Sequence, residues 1–242
     1  MNHFWSKKTI MIKEGSSIVS SVDTGAEKII IHSIKKNFPD HNIVSEEKYP
    51  HGIKSRAESS YTWYIDPLDG SRNYLAKIPF FCVSIALEHN GIIIAGVIYA
   101  PVTNELFVAR SGKKSLCNGK EIHALKKTEL GEAVIAYAWN EIDLKKSASL
   151  RARIDRLIPC VRRTRKLSCV ALELCYVACG RLDGYLFSMP QPWDIAAGSI
   201  VAANSGVSVC DLKGRPWTWG THSTELIAAN PTLQHKILEV VS

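Results

Sequence analysis

The segment Trp63-Tyr64-Ile65-Asp66-Pro67-Leu68-Asp69-Gly70-Ser71-Arg72-Asn73-Tyr74 sets two carboxylates three residues apart at the end of an apolar run. Two acids held so close to a buried strand repel each other and lose hydration unless a cation binds there. The donors are hard carboxylate oxygens, with neither histidine nor cysteine in the segment. Such a set favours magnesium, which is held by few carboxylates together with water and a substrate phosphate. Gly70 and Ser71 follow at once, and their backbone N–H groups could cradle a phosphate beside the metal.

These residues need elements to aim them. Thr62 to Ile65 reads as a short strand running straight into Asp66-Pro67, which places the acids at the strand's C-terminal end. Val22, Ala26, Ile29, Ile30 and Ile34 follow helical spacing, with Asp23 in the first turn and Pro39 beyond the end, so a helix over about 21–37 is predicted. His41 to Val44 reads as another strand. The stretches 80–88 and 92–100, separated by His89, Asn90 and Gly91, predict a hairpin, with a further strand from Glu105 to Ala109. In the second half, helical patterns at about 168–180, 192–204 and 231–240 alternate with strands near 184–187, 207–210 and 226–229. Pro192 and Pro231 suit the first turns of their helices, Asp194 then lies at a helix N-terminus, and Asn230 suits an N-cap. The pattern is mixed α and β in two lobes, about 1–130 and 131–242, within one catalytic domain; the boundary falls near 125–150.

The chain has 242 residues, enough to bury a large core. No apolar run approaches the roughly 20 residues of a membrane span, and the N-terminus is too polar for a signal-peptide core, so a cytoplasmic protein is expected. Seven cysteines with no CxxC pair suggest neither a disulfide framework nor a zinc knuckle. Cys175 and Cys179 read as buried apolar residues, Trp217 and Trp219 as packing groups, and His89, His123 and His222 as loop residues without partners. The net charge of +7 would suit nucleic acid, a membrane surface or an anionic substrate. Much of it lies between Arg151 and Lys166; such a run is usually a solvated face, but turned into the site it would read a second phosphate or sulfate.

Three further segments join the Asp66 to Ser71 run: Ser45-Glu46-Glu47 after a short strand, Asp23 within Val19 to Lys28, and Trp193-Asp194-Ile195-Ala196-Ala197-Gly198, whose Asp194 lies 125 residues after Asp69. With the Cys117-Asn118-Gly119 turn and Val177 to Tyr185, they make the chain resemble the inositol monophosphatase superfamily over nearly its whole length. The resemblance implies a layered αβαβα sandwich of the sugar-phosphatase type, assigned to α+β or α/β. It also implies a phosphoric monoester hydrolase using two or three Mg2+ ions and, typically, a homodimer. By the same resemblance Glu46, Asp66, Asp69, Asp194 and the main-chain carbonyl of Leu68 are the metal ligands. Asp23 and Ser71 match an Asp and Thr pair that prepares the attacking water, and Glu46 would bridge a metal and that water.

The departures from the family fall at the substrate end. Ser71 stands for threonine and Ser45 for glycine, and Phe187 occupies the position, seven residues before Asp194, where inositol-specific members carry glutamate. Ser168-Cys169-Val170 replaces a Gly-Ser/Thr-Ala run. The expected substrate-side set is Gly70, Ser71, Ser168, Cys169, Val170 and Phe187. An inositol monophosphate is then a class label, beside fructose 1,6-bisphosphate, histidinol phosphate or a 3′-phosphorylated nucleotide. Only twelve residues precede Lys13, whereas relatives usually begin with a longer helix. A reading of another class is a regulatory member that contacts nucleic acid or protein through its basic surface.

Overall fold

A computed structural model describes residues 10–12, 18–47, 59–139, 145, 147–188, 190–220 and 225–242. Lys13 and His222 lie outside them. β1 (Ile10–Ile12) and β2 (Ile18–Ser20) pair antiparallel ahead of α1 (Ser21–Asn37). Next come β3 (Asn42–Ser45), β4 (Tyr61–Asp69), α2 (Ser71–Leu75), β5 (Cys82–His89), β6 (Ile92–Ala100), β7 (Glu105–Arg110), β8 (Leu116–Cys117) and β9 (Lys120–Glu121). Strands β3 to β9 form one sheet in sequence order, antiparallel except for the β3–β4 pair. Along β5 buried and half-buried residues alternate without a break, the period of a strand with only one face in the core. Asn90 and Gly91, with φ of 50° and 81°, close the β5–β6 hairpin in the left-handed backbone that tight hairpin turns require.

The second half contains β10 (Val134–Ala138), α3 (Ala148–Leu157), β11 (Arg163–Arg165), α4 (Val170–Ala178), β12 (Gly184–Ser188), α5 (Pro192–Ala203), β13 (Ser208–Asp211), β14 (Glu225–Ala229) and α6 (Pro231–Val241). Its sheet runs in the order β11-β10-β12-β14-β13. Three parallel strands sit on one side, and β14 lies antiparallel to β12 and β13.

Three apolar clusters stack these pieces into five layers. Tyr64, Ala86, Ile98 and Phe107 of the first sheet pack on Cys175, Trp193, Ala197 and Val201 of α4 and α5. The same two helices present Leu174, Val177, Ile195 and Ala202 to Tyr185, Phe187 and Leu226 of the second sheet. That sheet's far face, through Ile135 and Ile227, meets Leu150, Ile154 and Leu157 of α3 and Leu233 and Ile237 of α6. With α1 packed on β4 outside the first sheet, the order is αβαβα, as the resemblance implied. α4 and α5 are buried on nearly every side, which explains why both read as continuous apolar runs rather than as amphipathic stripes.

The expected helix over 21–37 and the strands and helices of the second half are all present within a few residues. β10 and α3 fall where only a lobe boundary was read, and β11 is built from Arg163, Thr164 and Arg165, whose charge conceals a strand. His89 differs from its expected role as an isolated loop residue: it ends β5 and stacks on Tyr61 with ring centroids 4.2 Å apart. Trp219 packs edge-on against Tyr64 and donates to Glu88 at 2.8 Å, in keeping with a packing role.

Candidate metal and phosphate site

β4 does not stop at Asp66 but continues through Asp69. Its register against β5 slips between the two acids: Asp66 faces Ser84, whereas Asp69, three residues on, faces Cys82 only two residues back. A bulge of this kind bends the strand and re-aims its side chains, which lets acids three apart serve one site. Both are nearly buried, at 2% and 8% exposure. The Asp66 carboxylate accepts from the Leu68 N–H at 2.9 Å, and that of Asp69 from the Ala171 N–H at 2.7 Å.

Gly70 follows with φ of 85° and turns the chain into α2. A Cβ there would stand 3.0 Å from the Phe80 carbonyl oxygen and 3.3 Å from Cys169 Cβ, so both conformation and space demand glycine. Ser71 opens α2, and its hydroxyl lies 2.8 Å from the Leu68 carbonyl and 3.2 Å from the Asp23 carboxylate. Asp23 is 1% exposed in the first turn of α1, so an element from the start of the chain reaches the turn after β4. The expected pairing of Asp23 with Ser71 is therefore present as a contact.

Glu46 follows β3, its N–H bonded to the Ile65 carbonyl at 3.2 Å, which sets it beside the end of β4. The preceding Ser45 is fully buried and hydrogen-bonds Glu27 of α1. Asp194 occupies the first turn of α5, accepting from the Gln191 N–H at 2.9 Å in a capping box. These acids sense one another. Burial, then the Asp194 and Glu47 charges, push the Glu46 carboxyl up to about 8. Burial and the Asp69 charge push Asp194 up to about 7, and burial raises Asp69 to about 6. Asp66 is held well above the carboxylate range by burial and by the charges of Glu46, Asp69 and Asp194. No basic side chain figures among these causes. A cation is the group that relieves such a cluster, and an all-oxygen set with the Leu68 carbonyl nearby fits a hard divalent ion.

Ser168, Cys169 and Val170 lead into α4 on the other side of Asp69. Ser168 sits at φ of 58°, held by Glu173, whose carboxylate accepts from the Leu167 and Cys169 N–H groups at 3.2 Å each. Burial pushes the Glu173 carboxyl up to about 8. Asn73 of α2 donates to the carbonyls of Leu167 at 2.7 Å and Phe80 at 2.8 Å, tying this turn to the first sheet. Cys169 and Cys82 place their sulfurs 3.7 Å apart, and with Asp69 they bring ligand atoms within 4.8 Å of one another. Burial holds both thiols above their usual range, so these residues act as neutral packing beside Asp69. Sequence reasoning missed Glu173, Asn73 and Cys82. Phe187 is not brought to the carboxylates: it is 1% exposed and stacks on Tyr185 in the layer between α4, α5 and the second sheet.

The model of the inositol monophosphatase family matches residues 2–242. The chain belongs to the inositol monophosphatase family. It is 34% identical over 231 residues to the Nus factor SuhB of Pasteurella multocida, covering 95% of this chain and 84% of that one. It is 32% identical over 232 residues to an inositol-1-monophosphatase of Mesorhizobium japonicum, covering 96% and 85%. A solved inositol monophosphatase of Thermotoga maritima superposes with a TM-score of 0.87 at 31% identity, over 99% of this chain and 89% of that one. Family members thus carry two kinds of name, one enzymatic and one not.

Proposed function

We propose that this family member is a magnesium-dependent phosphatase hydrolysing a small-molecule phosphate monoester with metal-activated water, as a single catalytic domain with lobes at about 1–130 and 131–242. The observation that carries the reading is the Ser71 hydroxyl, set between Asp23 and the Leu68 carbonyl and beside four acids whose proton affinity is raised first of all by burial. Glu46, Asp66, Asp69, Asp194 and the Leu68 carbonyl would hold two or three Mg2+ ions. Such ions supply an activated water, in-line orientation and neutralisation of the leaving oxygen. Asp23 keeps the Ser71 hydroxyl oriented so that it can take up or pass on a proton of that water. The N–H groups of Gly70 and Ser71 receive the phosphate, and the Ser168–Val170 turn, fixed by Glu173, faces the substrate's remainder.

The buried Phe187 offers no hydrogen bond to a polyol, so the substrate need not be an inositol phosphate; fructose 1,6-bisphosphate, histidinol phosphate and a 3′-phosphorylated nucleotide share the required monoester. The seven cysteines are all free, which suits the reducing cytoplasm, and no described helix is long and apolar enough to cross a membrane. Val97, Tyr99 and Leu106 are exposed on neighbouring strands of the first sheet, and a second copy covering them would give a homodimer. The non-enzymatic names of some relatives favour a second reading, action by binding that is indifferent to the carboxylates.

The test is phosphate release with and without Mg2+ across inositol 1-phosphate, fructose 1,6-bisphosphate, histidinol phosphate and adenosine 3′,5′-bisphosphate. Mg2+-dependent release that Asp69→Asn abolishes is the expected result. No release from any of the four, by protein shown to bind Mg2+, would shift the assignment to the binding role.

A further inference from the structure

Asp69, the last residue of β4, pairs in register with Cys82, the first of β5, and Cys169 stands at the N-cap of α4 against both. The two sulfurs are 3.7 Å apart, Cys82 Sγ lies 3.9 Å from Asp69 Oδ2, and Cys169 Sγ lies 3.4 Å from the Asp69 main-chain oxygen. Two thiols in simple contact would stand equally close, so the sulfur pair by itself points to no ligand. The third donor does. A carboxylate oxygen completes a triangle whose corners all lie within 4.8 Å of one another. An ion bound to two sulfurs at about 2.3 Å with tetrahedral angles holds them about 3.8 Å apart and sets an oxygen ligand roughly 3.5–3.7 Å from each. The triangle therefore has nearly the size that such an ion needs, and the Asp69 main-chain oxygen offers a fourth donor beside Cys169.

The donors come from the ends of three packed elements, so little has to move. The Ala171 N–H, 2.7 Å from Asp69 Oδ2, orients the carboxylate, and the Leu172 N–H addresses the Cys82 sulfur. The first turn of α4 thus turns its positive end toward a set of anionic ligands. As thiols the two cysteines are packing; as thiolates they are ligands, and a coordinated thiol gives up its proton. Two neutral thiols and an ionised Asp69 carry a single negative charge. A divalent ion that enters while both thiol protons leave for solvent keeps that charge the same, so no further charge is buried. A monovalent soft ion would leave one more negative charge behind, and Mg2+ prefers oxygen to sulfur. Both cysteines are fully buried, but Cys169 is flanked by the exposed Ser168 and the half-buried Val170, which marks that turn as the way in.

We propose that Cys82, Cys169 and Asp69 form a site for a thiophilic divalent ion of the Zn2+ and Cd2+ class. Its sulfur donors separate it from the oxygen set assigned above to Mg2+. Asp69 is common to both, so on the phosphatase reading an ion held by the sulfurs would draw away a carboxylate that Mg2+ needs. The proposal rests on the geometry of the trio and stands whether or not the chain hydrolyses a phosphate.

The test titrates Cd2+ into full-length protein, reduced and stripped of metals, and follows the ultraviolet charge-transfer absorption of cadmium–thiolate bonds. One Cd2+ per chain should bring the band to saturation, and Zn2+ should displace it. Cys82→Ala and Cys169→Ser should each lose most of the band while unfolding thermally as folded proteins do; if one of them does not fold, the other carries the test. Asp69→Asn should keep the band but bind Cd2+ at least about tenfold more weakly, since even outer-shell partners of a metal are worth about 10- to 100-fold. Cys160→Ser, which removes the exposed thiol, should change nothing. Absence of the band, or a band that survives in the folded Cys82 and Cys169 variants, overturns the proposal. Loss of the band in Cys160→Ser would place the ion at the surface thiol, and unchanged affinity in Asp69→Asn would leave the carboxylate out; each also overturns it.

Discussion

At the scale of single residues, Asp66 and Asp69 were legible because their chemistry has a spacing, flanking a bulge that a DPLD sequence suits, whereas Glu46 and Asp194 were joined to them only through the resemblance to the family. What reaches them from elsewhere was not legible. Glu173 reads as a helix charge until its carboxylate is seen clasping two backbone N–H groups, and Asn73 reads as a polar residue in a short helix until its amide spans two carbonyls 94 and 7 residues away. Nothing in periodicity encodes a partner that only folding brings near. The Ser71 hydroxyl gives the sharpest prediction at this scale. Ser71→Ala keeps the proposed metal ligands but removes the group between Asp23 and the site, so kcat should fall about 10²-fold or more with Mg2+ affinity nearly unchanged. Steady-state kinetics paired with Mg2+ titration would expose an error: loss of Mg2+ binding instead of kcat would make Ser71 a metal-shell residue.

At the scale of elements, the alternation of β5 and the uniform apolarity of α4 and α5 announced what each faces, whereas β11 escaped because an edge strand of arginines has no buried face to betray it. The α2 turn shows how tightly the elements meet. Gly70→Ala would force an L residue to φ of 85° and push its Cβ against the Phe80 carbonyl, costing about 1–3 kcal/mol. Urea unfolding should show this as a lower midpoint with the same slope; an unchanged midpoint would mean the turn yields freely. Asn73→Ala leaves the Leu167 and Phe80 carbonyls short of a donor and should cost about 2–3 kcal/mol. Because those bonds tie α2 to the Ser168 turn, KM for the phosphate substrate should rise with it, and a stability loss with KM untouched would confine Asn73 to packing.

For the whole molecule, the raised acids fix how stability responds to pH. Glu46 and Glu173 titrate near 8, Asp194 near 7 and Asp69 near 6 when folded, whereas the unfolded chain releases these protons near about 4. Between these limits the folded state holds more protons, so stability of the metal-free protein is greatest at low pH in this range and falls as pH rises from about 4 to about 8. On the proposed reading Mg2+ would compete for the same carboxylates once they are deprotonated, so its stabilisation should grow with pH. Melting temperatures from pH 5 to 9, with EDTA or with Mg2+, would check this; curves that stay parallel would mean the ion binds away from these acids. Glu173 is not among the proposed ligands, so part of the fall should persist in Mg2+ and vanish in Glu173→Gln.

The middle layer carries a consequence for biosynthesis. Asp66 and Asp69 emerge from the ribosome with the first sheet, but α5, which brings Asp194 and covers Ala86 and Ile98, follows more than 100 residues later. Through that interval the nascent first sheet shows water both an uncovered apolar face and an unfinished nest of acids. The chain is then vulnerable to aggregation until translation reaches the last fifth, and chaperone demand should peak there. On the proposed reading, completion of the ion site would coincide with closure of the core, which would make ion capture a marker of finished synthesis.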